Sequence, residues 1–314
     1  MAEIVRVLRE DDVRAALPMS VCIDAVERAF VAYSAGRAEM PGVIHLDVPE
    51  AGGEIHIKAG HLHGAPAYAL KASSGFAGDP PAIDGLVVVF DATTGAPLAF
   101  LLDRGFVTDQ RTGAAGGVAA RWLAPERVGR VAVLGSGIQA RKQVEALRAV
   151  RVDVGPIRVW ARDAGRAAAA AADVGGRAVG SVEEAVEGAD VILTCTAARE
   201  PLVRAGWVAS GALVIAVGSD GPGKQELDPD LLRRADVLVV DALDQALRLG
   251  ELQHAPELRE RAVELGVICA GGAPGRTSAD QLIVCDLTGV GVQDVAAANA
   301  VLANAGDAGE RLER

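Results

Sequence analysis

Apolar and polar positions change rhythm several times along this chain, and each change marks a different kind of element. Near the start, Ile4, Val5, Val7 and Leu8 predict a short strand. A helix follows: Met19 and Ser20, with Asp24 and Glu27, open it, and Val21, Ala25, Arg28, Ala29 and Ala32 recur at helical spacing until Gly36 ends it. Over residues 43–106 the pattern turns to alternation, in VIHLDV, EIHIKAGHL, AYALKASSGF and GLVVVFDATTGAPLAFLLD. Glycine and proline clusters at 52–53, 64 and 78–81 separate these runs, so they read as successive antiparallel strands, with residues 91–97 turning a hairpin.

From residue 131 the rhythm becomes strand, turn, helix. VAVL is followed by Gly135, Ser136, Gly137, Ile138, Gln139 and Ala140, after which Val144, Leu147 and Val150 continue at helical spacing. A G-x-G-x-x-A pattern in that context is a dinucleotide fingerprint. Gly135 allows the tight turn, Gly137 lets backbone approach a pyrophosphate, and Ala140 lets helix pack on strand. The helix amides then face the phosphates with a favourable dipole. An ordinary turn that binds nothing is the alternative, and the rhythm downstream weighs against it. Strand IRVW (157–160), an Ala-rich helix (166–173), a short segment near Val179, helix VEEAVEG, and strands at 190–195, 212–218 and 237–240 follow. Strands alternating with helices predict a parallel, doubly wound sheet. The last section holds a strand-like LGVICAGG, a glycine–proline turn, Arg276, strand LIVCDLTG and a helix over 292–305, expected to pack back onto the first domain.

Several polar residues stand out against these patterns. In EIHIKAG, alternation puts His56 and Lys58 on one face and Ile55 and Ile57 on the other. Lys71 lies late in the next strand, where a cation is costly unless partnered. A solvated outer face is the alternative for each. Arg111, near the start of a helix rich in small residues (TDQRTGAAGGVAARWL), suits a phosphate or carboxylate, and a plain surface arginine is its alternative. Asp220 follows a sheet strand at its carboxyl end, where open α/β sheets bind ligands; a turn aspartate before Gly221-Pro222-Gly223 is the other reading. After strand IRVW come Ala161, Arg162 and Asp163. An acid at that strand end favours NAD and an arginine favours NADP, so NADP(H) is expected, with NAD(H) as the alternative.

Composition narrows the classes. With 314 residues, half of them hydrophobic, the chain can bury cores for two domains. A net charge of −11 and 3% aromatics argue against nucleic acid or an anionic membrane as partner. Cys22, Cys195, Cys269 and Cys285 are scattered, the usage of a reducing compartment. The first residues are charged, with no apolar leader, and no run approaches the ~18 residues of a membrane helix, so a cytoplasmic protein is expected. A metal reading would group His56, His61 and His63, but no Cys or Glu completes that set, and no metal is expected.

Taken together, TDQRTGAAG around Arg111, VLGSGIQA around Gly135, VGSDGPGKQEL around Asp220, and IKAGHL with ALKASSGF around Lys58 and Lys71 resemble the ornithine cyclodeaminase and mu-crystallin family over nearly the whole chain. The resemblance implies an α/β fold with two parts. A Rossmann, doubly wound dinucleotide domain would span 113–291. An α+β antiparallel domain for substrate binding and dimerisation would span 1–112 and be joined by the C-terminal helix at 292–314. It implies a homodimer acting on a small imino or amino acid. An aspartate matching Asp220 would be the acid–base group, and a lysine matching Lys71 would contact the substrate carboxylate or a water. Arg111 and Thr112 would hold the nicotinamide-side phosphates. Gly135, Gly137, Ile138, Gln139 and Arg162 would line the dinucleotide, with Thr196 and Lys224 near it.

Three departures shift the expected chemistry. Lys58 stands where the ornithine cyclodeaminases carry a substrate-binding glutamate. Their carboxylate-gripping arginine upstream has no clear match, and the region offers His45, with His56 beside Lys58. Ala161 and Arg162 replace the acid expected for NAD. These point to an NADPH-linked imino acid (ketimine) reductase, in the ketimine reductase or ectoine-utilisation branch. The alternatives are an ammonia-releasing cyclodeaminase that recycles NAD and a non-catalytic ligand-binding protein.

Overall fold

The structure is a computed structural model that describes residues 4–76 and 82–313; the predicted break at 78–81 lies outside them. It divides into two compact units, Met1–Arg111 with Gly291–Arg314, and Thr112–Val290.

The first unit opens with β1 (Ile4–Arg9), α1 (Glu10–Ala16) and α2 (Met19–Ser34). The sequence pattern missed α1, which buries only Val13 and Ala16 and so shows no periodicity. Asp12 accepts from the Arg9 amide at 2.9 Å and fixes its first turn. Then come β2 (Ala38–Glu39), β3 (Ile44–Val48), β4 (Gly53–Leu62), β5 (Ala67–Phe76), β6 (Ala82–Asp91) and β7 (Pro97–Leu102). β3 through β7 pair antiparallel in succession, and β2 and β3 share the edge of β4. The Asp91 carboxylate accepts the amides of Thr93 and Thr94, closing the hairpin between β6 and β7. One pairing departs from the antiparallel expectation: β1 joins β7 in parallel, because α1 and α2 intervene and bring the chain to the far edge.

α3 (Phe106–Leu123) leads into the second unit. There follow β8 (Val131–Leu134), α4 (Ile138–Val150), β9 (Ile157–Trp160), α5 (Ala164–Asp173), β10 (Arg177–Ala178), α6 (Val182–Val186) and β11 (Val191–Thr194). Next are β12 (Arg199–Val203), β13 (Leu213–Ala216), β14 (Gln225–Leu227), α7 (Pro229–Arg234), β15 (Val237–Val240), α8 (Leu243–Leu249), β16 (Ala262–Glu264), α9 (Leu265–Cys269) and β17 (Ile283–Asp286). The main sheet runs β10-β9-β8-β11-β13-β17-β15-β16, and every pairing is parallel. Its central strands are buried along their length, as a sheet covered on both faces requires. The strand order reverses between β8 and β11, which creates the crevice where such sheets bind ligands. β12 and β14 form a separate two-stranded ribbon. LGVICAGG, expected as a strand, is instead α9: a short apolar run reads alike in either state, and Ala262–Glu264 just before it already occupies the place beside β15.

The chain then returns to the first unit through α10 (Gly291–Asn304) and β18 (Glu310–Glu313). α10 lies against α2, β4 and β5. The helix expected over 292–305 ends at Asn304, and the residues beyond it, joined to the helix in the 292–314 assignment, instead carry β18, which pairs antiparallel with β1. The sheet's inner face, with Ala67, Ala69, Val87, Val89, Ala99 and Leu101, is sealed from solvent. Its outer face is apolar and open, carrying Ile44, Leu46, Leu70 and Leu102. No helix among the described residues is long and apolar enough to cross a membrane.

Candidate active site

In the second unit a cavity of about 830 Å³ opens at the carboxyl ends of β8, β9 and β11. Gly135 ends β8 with φ +128°, and a Cβ there would stand 2.6 Å from the Cys195 carbonyl oxygen, so only glycine fits. Gly137 precedes α4 with open space where its Cβ would be, leaving room for a phosphate against the backbone. The first turn of α4 carries no acidic residue and no side-chain cap, so its dipole is left to a ligand. Across the cavity, Trp160, Ala161, Arg162, Asp163 and Arg166 follow β9. Asp163 is used locally: its Oδ1 accepts the Arg166 amide at 2.7 Å and caps α5. The charges that line this end are therefore Arg162 and Arg166, the latter unnoticed in the sequence.

Of the residues expected at the cofactor, Gly135, Gly137, Arg162 and Thr196 line this cavity. Ile138 and Gln139 form the first turn of α4. The Thr112 carbonyl accepts from Gln143 Nε2 at 3.0 Å. Thr196 is held by a residue that sequence reasoning missed. Glu226, fully buried, accepts from Thr194 Oγ1, from both the amide and the hydroxyl of Thr196, and from the Gly218 amide, at 2.6–2.8 Å. It staples the ends of β11 and β13 together beside the crevice. Burial pushes its carboxyl up, against the pull of those hydrogen bonds.

Asp220 lies beyond β13 in an exposed loop, and its Oδ1 is paired with Lys224 Nζ. The loop is tied down around it. Ser219 Oγ donates to the Lys224 carbonyl at 2.9 Å, Gln253 accepts from the Gly223 amide at 2.9 Å, and His254 Nε2 meets the Lys224 carbonyl at 2.8 Å. Lys224, expected near the cofactor, is thus first a partner of Asp220.

In the first unit the cations converge. Lys71 on β5 and Lys58 on β4 stand opposite each other across the strand pair. Lys71 Nζ and Arg111 Nε both reach Asp294 Oδ1 at 3.0 Å, and Arg111 Nη1 donates to Gln293 Oε1 at 2.8 Å. Lys71, Arg111, Gln293 and Asp294 are all buried, which removes the surface reading of both cations. Arg111, expected at the nicotinamide-side phosphates, here places its Nε and Nη1 on Asp294 and Gln293 of α10. Burial brings the Lys71 amine down to about 7, with Asp294 opposing and Arg111 and Lys58 adding. Burial acts on Asp294 too, but Lys71, Arg111 and Lys58 outweigh it and hold its carboxyl below the usual range. Three cations thus act on the Asp294 carboxylate, and a second buried carboxylate, Asp103, interacts with Lys71. Asp294 Oδ2, Gln293 Nε2 and Asp103 Oδ1 are buried without hydrogen-bond partners, so the cluster has unfilled capacity. Sequence reading missed Gln293, Asp294 and Asp103; the available signal was a charged residue inside an otherwise apolar helix.

His45 and His56 lie on the same sheet face as Lys58, paired in register across β3 and β4. The grouping of His56 with His61 and His63, weighed for a metal and set aside, does not form. β3 covers Gly53–Ile57 of β4, whereas β2 covers His61 and Leu62, so the histidines meet different strands. His63 bonds Glu39 at 3.2 Å.

Residues 4–309 match the sequence profile of the ornithine cyclodeaminase/mu-crystallin family. This chain belongs to that family. Among its members, the alanine dehydrogenase of Archaeoglobus fulgidus is 36% identical over 95% of this chain and 94% of its own. An archaeal alanine dehydrogenase dimer with bound NAD superposes with a TM-score of 0.90, at 34% identity and covering 99% of each chain. The Δ1-pyrroline-2-carboxylate reductase of Thermococcus litoralis, solved with NADH and L-proline, gives 0.87 at 29% identity, covering 96% of this chain and 97% of its own. A nicotinamide dinucleotide is therefore the family's cofactor, and the Gly135–Gly137 crevice has the open backbone that it needs.

Proposed function

We propose that this protein reduces an imino acid to an amino acid with a nicotinamide dinucleotide, NADPH in preference to NADH. The observation that carries the reading is the excess of buried and half-buried cations, Lys58, Lys71 and Arg111, over the carboxylates of Asp294 and Asp103. Such a cluster favours the carboxylate of an imino acid and repels the second ammonium of a diamino acid. The relative with L-proline and NADH catalyses chemistry of this class by its name.

When bound, the dinucleotide supplies the hydride. The chain's own residues do the rest. Lys71 and Lys58 hold the carboxylate, and Arg111 shares Asp294 with Lys71 and keeps it in place. Asp220 moves the proton at the substrate nitrogen, on a loop fixed by Ser219, Gln253 and His254. The test is a panel of cyclic and acyclic imino acids with NADPH, read at the reduced nicotinamide absorbance. Net NADPH oxidation with a pyrroline or piperideine carboxylate is expected, with little ammonia from ornithine. Ammonia and proline formed from ornithine with only catalytic cofactor would replace the reading with cyclodeamination.

The NADPH preference rests on Arg162 and Arg166 at the end of β9, where the acid that could hold ribose hydroxyls is occupied in capping α5. Arg162→Ala should lower the preference by about 1–3 kcal/mol, the worth of a charge-assisted contact. Equal affinity of the unmutated protein for NADPH and NADH, measured by titration, would remove the argument.

The outer sheet face, with exposed Ile44, Leu46, Leu70 and Leu102, fits a second copy of this chain, and the archaeal relative is a dimer. Sedimentation at the mass of one chain, 32.1 kDa, would exclude the homodimer.

A further inference from the structure

We propose that His45, His56 and Glu54, on β3 and β4, form a binding site for one divalent transition-metal ion of the zinc type. The reading does not depend on the reductase assignment.

Ligand atoms from these three side chains lie within 4.8 Å of one another. His45 Nδ1 is 3.1 Å from His56 Nε2, and His56 Nε2 is 3.6 Å from Glu54 Oε2. Tetrahedral ligands bonded to zinc at about 2.0–2.2 Å stand roughly 3.3–3.5 Å apart, so both separations bracket what one shared ion needs. The backbone sets this up. Antiparallel register places His45 opposite His56 and Asp47 opposite Glu54, all projecting from one face at the sheet's edge.

A second observation concerns which nitrogen is available. His45 Nε2 lies 2.9 Å from Asp47 Oδ1. A carboxylate that accepts from the Nε2–H keeps the ring proton on that nitrogen and leaves Nδ1, the atom facing His56, with its lone pair. This carboxylate–histidine arrangement is the usual outer support of a metal-binding histidine. Two imidazoles and one carboxylate form a borderline donor set that selects zinc, cobalt, nickel or copper over magnesium or calcium. The rings meet edge to face, at 70° with centroids 4.7 Å apart, and do not stack. Three protein ligands leave a fourth position for water. The sequence reading discarded a metal because it grouped His56 with His61 and His63; the strand register supplies His45 and Glu54 instead.

The experiment uses the full chain, stripped with a chelator and titrated with Zn²⁺ by calorimetry and with Co²⁺ by visible absorption. One equivalent per chain is expected, with the intense visible bands of low-coordinate cobalt. His45→Ala and Glu54→Gln should each abolish the bands while circular dichroism and the unfolding midpoint stay unchanged. Asp47→Asn should weaken binding by about 10–100-fold, the worth of a supporting carboxylate. His61→Ala with His63→Ala should leave binding intact. Absence of saturable binding, or stoichiometric binding that survives His45→Ala, would overturn the proposal.

Discussion

Asp220→Asn should reduce turnover by about 10²–10⁴-fold, the usual worth of a positioned acid–base group, while dinucleotide affinity stays nearly constant. Asparagine keeps the shape and loses the carboxyl group that takes up and releases a proton. The fold should tolerate the change, because Asp220 and Lys224 form an exposed pair, and such pairs contribute about 0–1 kcal/mol. The loop's geometry is carried by others: Ser219, Gln253 and His254 all bind backbone atoms of residues 221–224 and touch no part of the Asp220 carboxylate. Loss of turnover in this variant therefore reports chemistry and not collapse of the loop. Steady-state kinetics with the imino acid panel, alongside dinucleotide titration, separates the two. Retention of full turnover would remove Asp220 from the mechanism. A loss matched by an equal loss of dinucleotide affinity would make it a binding residue instead.

Much of this architecture is visible in the sequence because its signals are local. Alternation in EIHIKAGHL and AYALKASSGF can only describe strands with two different faces. The Gly135–Ala140 turn demands a positive φ and a close approach that no other residue type supplies. What stayed hidden depends on partners far along the chain. Asp294 meets Lys71 across 223 positions, and nothing in the sequence around either residue names the other. Glu226 sits in KQEL, which reads as an ordinary surface turn; only the fold reveals that four donors from the ends of two strands, β11 and β13, converge on its carboxylate. LGVICAGG failed for a different reason, since a five-residue apolar run carries no period long enough to separate helix from strand. The histidines show the same limit, because which of them meet is fixed by strand register and not by spacing.

Asp294→Ala should destabilise the protein by about 3–5 kcal/mol, because it leaves Lys71 and Arg111 buried without their shared counter-charge. The loss should depend on pH. Lys71 titrates near 7 in the folded protein, below its ordinary 10.5. Between those values the unfolded chain holds the extra proton, so this group makes stability rise with pH from about 7 toward 10.5. Near pH 6 the ammonium is present and needs Asp294; near pH 9 it is neutral and needs it less. The gap between the unmutated protein and the variant is therefore larger at pH 6 than at pH 9, and what remains at pH 9 belongs to Arg111. Urea midpoints at both values measure this. The same titration reaches catalysis, since only the ammonium form holds a substrate carboxylate. kcat/KM should fall as pH rises above about 7, following the free enzyme. A destabilisation below about 1 kcal/mol, or a gap that does not change between pH 6 and 9, would show that Asp294 is not the counter-ion that keeps Lys71 charged.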